Sequence, residues 1–318
     1  MLARLQQRIV FTLALAAAAW VTIALAADLP AVALIGAVLL LFGHAAVLGF
    51  EFLLMSRINR RDNVLRARLH QVLRAWVAES FIAPQVFCWR QPFRSGAVPD
   101  APQAIGRRGV VFVHGFVCNR GLWTPWLQRL RARGTPFVAV NLEPVFGSID
   151  DYVPLIEQAV QRIAAGTGMA PLIVAHSMGG LAVRAWLAHS QGDERVHHVI
   201  TIGTPHRGTF LGLAARSINT RQMHLGSGWL QQLAAREPLE RSARFTCFFG
   251  HCDNIVFPAS TATLPGANNR HIAGCAHVQM AFHDDVFSEV DHWLAGAALV
   301  AAERVASGWG PRRGAMRE

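Results

Sequence analysis

Residues 171–180 read Pro-Leu-Ile-Val-Ala-His-Ser-Met-Gly-Gly, and they place one serine where a strand meets a helix. Leu172, Ile173 and Val174 form an apolar run suited to a strand buried on both faces, and a helical pattern starts at Gly179. Ser177 then falls on the sharp turn of a nucleophile elbow, preceded by His176. Such a turn crowds the positions two before and two after the serine, where Ala175 and Gly179 are small. A hydroxyl is a poor nucleophile at neutral pH, so it needs a base, and the base needs an orienting carboxylate.

Behind an elbow of this kind the acid precedes the histidine in the chain. Asp253 lies in the loop fed by an apolar strand at 245–250 and is the expected acid. Asp193 and Glu194 sit in a polar loop ahead of a strand, at the wrong edge, and Asp284 and Asp285 fall in a closing helix. His277 follows the last strand and is the expected base. His271 on the strand, His251 ahead of the acid and His283 on the closing helix are the alternatives, and His197-His198 reads as structural. The developing oxyanion needs preorganised N–H donors. Phe116, after His114-Gly115 at the end of a strand at 110–113, and Met178 supply them.

These residues need a parallel sheet to gather them. From residue 109 strand-like and helix-like segments alternate, the pattern of an α/β fold with helices on both faces. Strands are expected at 110–113, 137–142, 196–202, 245–250 and 271–273, and helices at 122–133, 150–164 (capped by Ser148) and 278–294. Ligands bind at the carboxyl edge of such a sheet, where all the residues above fall.

Five blocks in order resemble the α/β-hydrolase superfamily: His114-Gly115-Phe116, Ala-His-Ser-Met-Gly at 175–179, Gly203-Thr-Pro-His-Arg-Gly208, Asp253-Asn254-Ile-Val-Phe-Pro258 and Gly274-Cys-Ala-His277. The bacterial triacylglycerol lipase and esterase branch, with the related lipid-remodelling deacylases, is the most similar, over roughly residues 105–298. Ala175 stands where glycine is commoner. The resemblance implies Ser177 as nucleophile, Asp253 as acid, His277 as base and Phe116 and Met178 as oxyanion donors, with no cofactor. It also implies a lid over the acyl pocket at about 207–241, where Phe210, Leu211, Leu213, Met223, Trp229, Leu230 and Leu233 offer an apolar face; an ordinary pair of helices packed on the sheet is the alternative.

The 318 residues carry a formal charge of +10, all of the cations being arginine. No module that interleaves aromatic and basic residues points to nucleic acid. Five cysteines without paired spacing argue against a disulfide framework or a zinc site, and no metal constellation is expected. Residues 9–27 carry no charge and 29–50 are interrupted only by His44, so each run is long enough to cross a bilayer core of about 30 Å. Arg4 and Arg8 precede the pair, and Arg57, Arg60, Arg61, Arg66 and Arg68 follow it, which puts both ends in the cytoplasm. A cleaved signal peptide over 1–26, ending at Ala24-Leu25-Ala26, is the competing reading, and it would leave the second span in place.

The organisation expected is a two-span anchor at 1–56, an amphipathic helix and linker at 57–108 with an edge hairpin around 85–93, a catalytic domain at 109–298 and a tail at 299–318. Leu65, Leu69, Val72, Leu73 and Trp76 form the apolar face of the amphipathic helix, which either packs on the core or lies in the headgroup layer. Glu51, closing the second span, is expected at the interface. The function expected is a serine hydrolase of the inner membrane, cleaving carboxylic esters of lipid or other acyl substrates. Thioesters and amides suit the same residues; a silent scaffold with a hydrolase fold and a transporter component are the alternatives outside hydrolysis.

Overall fold

A computed structural model describes residues 1–190, 192–213 and 216–306. The chain opens with α1 (Leu2–Ala26) and α2 (Pro30–Asn59), two antiparallel helices long and apolar enough to cross a membrane. Asp28 turns between them with φ +56°, a left-handed conformation that a short polar side chain tolerates. Residues 57–108 are more helical than a linker. Helix α3 (Leu69–Pro84) runs into a π-helical stretch, Gln85–Arg90, and then into α4 (Gln91–Arg94).

The hairpin expected around 85–93 is therefore helix. Short apolar runs do not distinguish a strand from a helix, and here the helical face buries Val86 and Gln91 completely. Pro84 has no N–H to give and displaces the carbonyl four residues back. That carbonyl, of Ser80, accepts instead from His44 Nε2 of α2 at 3.0 Å, so the one polar residue in the second apolar run has a partner. Helix α3 also starts later than its apolar periodicity suggested, and its inner face carries Ala75 and Glu79. Leu69, Leu73, Val77 and Phe81 are exposed on the outside.

The sheet portion follows as β1 (Val110–Val113), α5 (Thr124–Ala132), β2 (Phe137–Ala139), α6 (Val153–Thr167), β3 (Leu172–His176), α7 (Met178–Ser190), β4 (His198–Ile202), α8 (Ile218–Gln222), α9 (Gly228–Ala235), β5 (Phe245–Phe249), β6 (Asn268–His271), α10 (His277–Met280) and α11 (Asp284–Ala306). The six strands are all parallel, in the order β2-β1-β3-β4-β5-β6. Strands β1, β3, β4 and β5 are buried along their whole length, as a sheet covered on both faces requires. Ser148 caps the 3-10 turn ahead of α6, its hydroxyl accepting from the Asp150 amide.

Several boundaries move: the strand expected at 137–142 ends at Ala139, that at 196–202 begins at His198, and the helix expected at 150–164 runs Val153–Thr167 behind a 3-10 turn. The last strand is Asn268–His271, so Ile272 and Ala273 leave the sheet. The closing helix expected at 278–294 is broken into α10 and α11, with His277 opening the first and Asp284 and Asp285 in the first turn of the second. The 299–318 tail begins inside α11, and residues 307–318 lie outside the described residues.

Helix α2 does not end at the apolar run. Its last turns insert Phe52 and Met55 into a cluster with Ala75, Cys252, Phe257 and Ala276. Asn59 donates to the His251 carbonyl and accepts from the Ala259 amide, closing the join. Met55 is completely buried there. Met55→Ala is expected to cost about 2–5 kcal/mol of stability, read as a lowered midpoint of thermal unfolding in detergent; an unchanged midpoint would mean that the two parts are not packed as described.

Candidate active site

Strand order reverses between β1 and β3, and the loops that leave their carboxyl ends diverge there. One loop carries His114, Gly115 and Phe116; the other carries Ser177. Ser177 has φ +55°, in the left-handed region, and its amide donates to the Ile202 carbonyl at 2.8 Å. Strain of this kind persists only where the surroundings fix it. Ala175 is buried on β3, and a Cβ at Gly179 would lie 2.5 Å from the Val113 carbonyl oxygen, so both flanking positions are held small by contact. Met178 is the first residue of α7, which leaves its N–H without an intrahelical acceptor. Val117, directly after Phe116, also has a positive φ of 52°, unusual for a β-branched residue.

His114 Nε2 accepts from the Leu142 amide at 3.0 Å, which leaves Nδ1–H to donate to the Gly115 carbonyl at 2.9 Å. Burial pulls its pKa down to about 4, so the ring is neutral and serves to shape the loop. His176 is likewise buried, with its pKa lowered first by burial and then by His277, and its Nε2–H donates to the His277 carbonyl at 3.1 Å.

Asp253 and His277 meet at the carboxyl edge of the sheet. His277 Nδ1–H donates to Asp253 Oδ2 at 2.9 Å, and this is the hydrogen bond that the structure forms within the Ser-Asp-His set. Asp253 Oδ1 is engaged by the amides of Ile255 and Val256. Burial works against protonation of His277, but the charge and hydrogen bond of Asp253, with the Glu79 and Glu51 carboxylates, outweigh it and raise the pKa above the usual imidazole value. Gly203, with φ +55°, passes directly beneath the pair. A Cβ there would lie 2.9 Å from Asp253 Oδ2 and 3.0 Å from His277 Nδ1.

Three further residues hold the histidine, and the residue pattern of the chain did not single them out for this role. The Val278 and Gln279 amides donate to Glu79 Oε1 and Oε2 at 2.8 and 3.0 Å, so a carboxylate from α3 caps the short helix that His277 opens. Burial pushes the Glu79 pKa up to about 7 despite those bonds. Asn254 Oδ1 accepts from the His277 amide at 3.3 Å while its Nδ2 donates to Glu51 Oε2 of α2 at 2.7 Å. Glu51, expected at the membrane interface, is thus part of the wall of the site. A helical acid two hundred residues from its partner carries no local signal.

The cavity that Ser177 and His277 share has a volume of about 750 Å³. Gly115, Phe116 and His176 line it from the sheet edge, and α1, α2 and α3 close the other side. None of the described residues of the lid expected at 207–241 lines it. Its Met223 and Leu230 are instead buried in the main core beside α7, and Phe210 and Leu211 pack against the cluster around Phe52. Among the described residues no cluster of metal-ligating side chains occurs.

The sequence model described as the alpha/beta hydrolase family matches residues 110–314. A lipase of Bacillus licheniformis, BlEst2 in its mature form, superposes with a TM-score of 0.53 at 18% identity, covering 62% of this chain and 95% of that one. Lipase B of Aspergillus fumigatus gives a TM-score of 0.48 at 18% identity, over 55% of this chain and 49% of that one. The first likeness extends to the fold.

Two outcomes test this geometry. Gly203→Ala forces a side chain between acid and base in a left-handed conformation, so it is expected to destabilise by at least about 1–2 kcal/mol in chemical denaturation. Glu79→Gln removes a carboxylate that raises the His277 pKa, so the imidazole of the variant should titrate at lower pH when followed by NMR of isotope-labelled histidine. An unmoved titration would exclude Glu79 from the electrostatics of the site.

Proposed function

Because the chain belongs to the alpha/beta hydrolase family, we propose that it is a serine hydrolase that cleaves carboxylic esters of lipid or other acyl substrates through an acyl-enzyme. The observation that carries this reading is the buried Asp253–His277 pair facing, across one cavity, a serine held in a strained turn. Ser177 Oγ attacks the ester carbonyl while His277 Nε2 takes its proton, and Asp253 holds Nδ1–H so that the correct nitrogen faces the serine. The N–H groups of Phe116 and Met178 receive the charge that develops on the carbonyl oxygen. Collapse of the intermediate expels the alcohol, protonated by His277. Water, deprotonated by the same imidazole, then attacks the acyl-enzyme to release the acid and restore Ser177.

The two N-terminal helices act, in this reading, as a hairpin in the inner membrane with the catalytic domain on the cytoplasmic side. Their length, their exposed leucine, isoleucine and phenylalanine side chains and the flanking arginines support it. So does their geometry: Met1 pairs with Glu143 and Asn59 bonds to the His251 loop, so both ends of the hairpin sit against the catalytic domain.

Hydrolysis of p-nitrophenyl esters by the detergent-solubilised protein tests the assignment. Ser177→Ala is expected to lower kcat by on the order of 10⁴–10⁶ and to abolish labelling by a fluorophosphonate. Equal labelling of wild type and variant would remove Ser177 from the mechanism. The base must be neutral to accept a proton, and the His277 pKa is raised. The rate should therefore climb with pH through a midpoint above 6.5 and then level off; a midpoint at or below the ordinary imidazole value contradicts the role given to His277.

A further inference from the structure

The cavity over Ser177 is walled on one side by hydrocarbon from the N-terminal helices. Leu13 of α1 and Leu39, Leu40, Leu41, Val47 and Leu48 of α2 line it. Three of these, Leu39, Leu41 and Val47, are at the same time 65%, 52% and 62% exposed. A residue that lines the cavity and also faces outward stands at its mouth. The mouth therefore opens through the apolar surface of the helix pair, with leucine and valine at its rim. A chain of methylenes passing this rim from a bilayer stays in hydrocarbon throughout and loses no hydration on entry.

The charges in the cavity narrow the substrate further. Among the described residues that line it, only Glu51 and Glu79 carry carboxylates and none is an arginine, although the chain has 30 cationic side chains. A substrate phosphate lying along α2 and α3, away from the helix N-termini at Met178 and His277, would meet the Glu51 and Glu79 acids and no arginine to pair with it. Phosphate is ordinarily met by arginine, lysine or the N-terminus of a helix. Beyond Ser177, His176 and His277, the lining adds Asn254 and His44, which suit hydroxyl and ester oxygens.

We propose that the substrate is an uncharged, long-chain acyl ester of the acylglycerol class, drawn sideways from the bilayer with its acyl chain lying against α1 and α2. This rests on the reading of Ser177 as the nucleophile. Gly43 is a handle on the wall. It lines the cavity, and a side chain built there meets no atom within 4 Å, so tryptophan at this position projects into open space that the acyl chain would occupy.

The experiment uses the full-length protein reconstituted in phosphatidylcholine vesicles that hold equal mole fractions of dioleoylglycerol or dioleoyl phosphatidylglycerol, with oleate release as the readout. Release from the diacylglycerol is expected at least tenfold faster. Equal or faster release from either phospholipid, or no release from any lipid, overturns the proposal. In Gly43→Trp the ratio of long-chain to butyryl ester turnover should fall at least tenfold, and an unchanged ratio also overturns it. The vesicle comparison needs only wild-type protein, so it stands even where the variant does not fold. A short-chain fluorophosphonate reports on Ser177 alone. Labelled protein with the wrong lipid preference defeats this inference and leaves the hydrolase reading, whereas unlabelled protein defeats both.

Discussion

A carboxylate with 1% of its surface exposed sets the position of the catalytic portion's most demanding side chain. Glu79 reaches from α3 to the first two amides after His277 and satisfies both. An acid buried this deeply is costly unless its oxygens are bonded, and amides at the start of a helix are costly unless something accepts from them. Each group answers the other, and the arrangement holds only while α3 stays on the catalytic portion. The backbone of His277 is further fixed by Asn254 and His176, and its ring by Asp253. Orientation of the imidazole is thus shared between the hydrolase fold and a segment outside it.

Much of the sheet was legible because its strands are buried on both faces and read as unbroken apolar runs. Val110–Val113 and the elbow after Leu172–His176 stand out in this way. Ser177, Asp253 and His277 were singled out by their positions at strand ends; Ser177 and His277 line one cavity, and Asp253 bonds to His277. The alternatives lie elsewhere: His271 is on the edge strand, and Asp284 and Asp285 stand in the first turn of α11.

What was not legible depends on contacts across long stretches of chain. Glu79 lies 199 residues from Val278, and Glu51 lies 203 residues from Asn254. Neither stands in a motif, and each looks like an ordinary acid on a helix. The stretch at 85–93 was misread because a few apolar residues bounded by proline suit a strand as well as a helix. The apolar residues at 207–241 suited a lid and a pair of packed helices alike, and Met223 and Leu230 stand in the core. An apolar helical face says that something covers it, and does not say whether that is substrate or sheet.

The roof over Ser177 therefore belongs to α2, and α2 has no joint. It runs unbroken from Pro30 to Asn59, through the cavity wall and into the cluster at Phe52 and Met55, before Asn59 ties its end to the core. A mobile cover makes a lipolytic enzyme respond to the physical state of its substrate, because a surface is needed to lift the cover away. A wall continuous with the core has no such closed state to escape. On the proposed ester-hydrolase reading the kinetic consequence is a rate that rises smoothly as a soluble ester is concentrated, with no step where the ester begins to form micelles; a sharp step there would show that part of this roof moves.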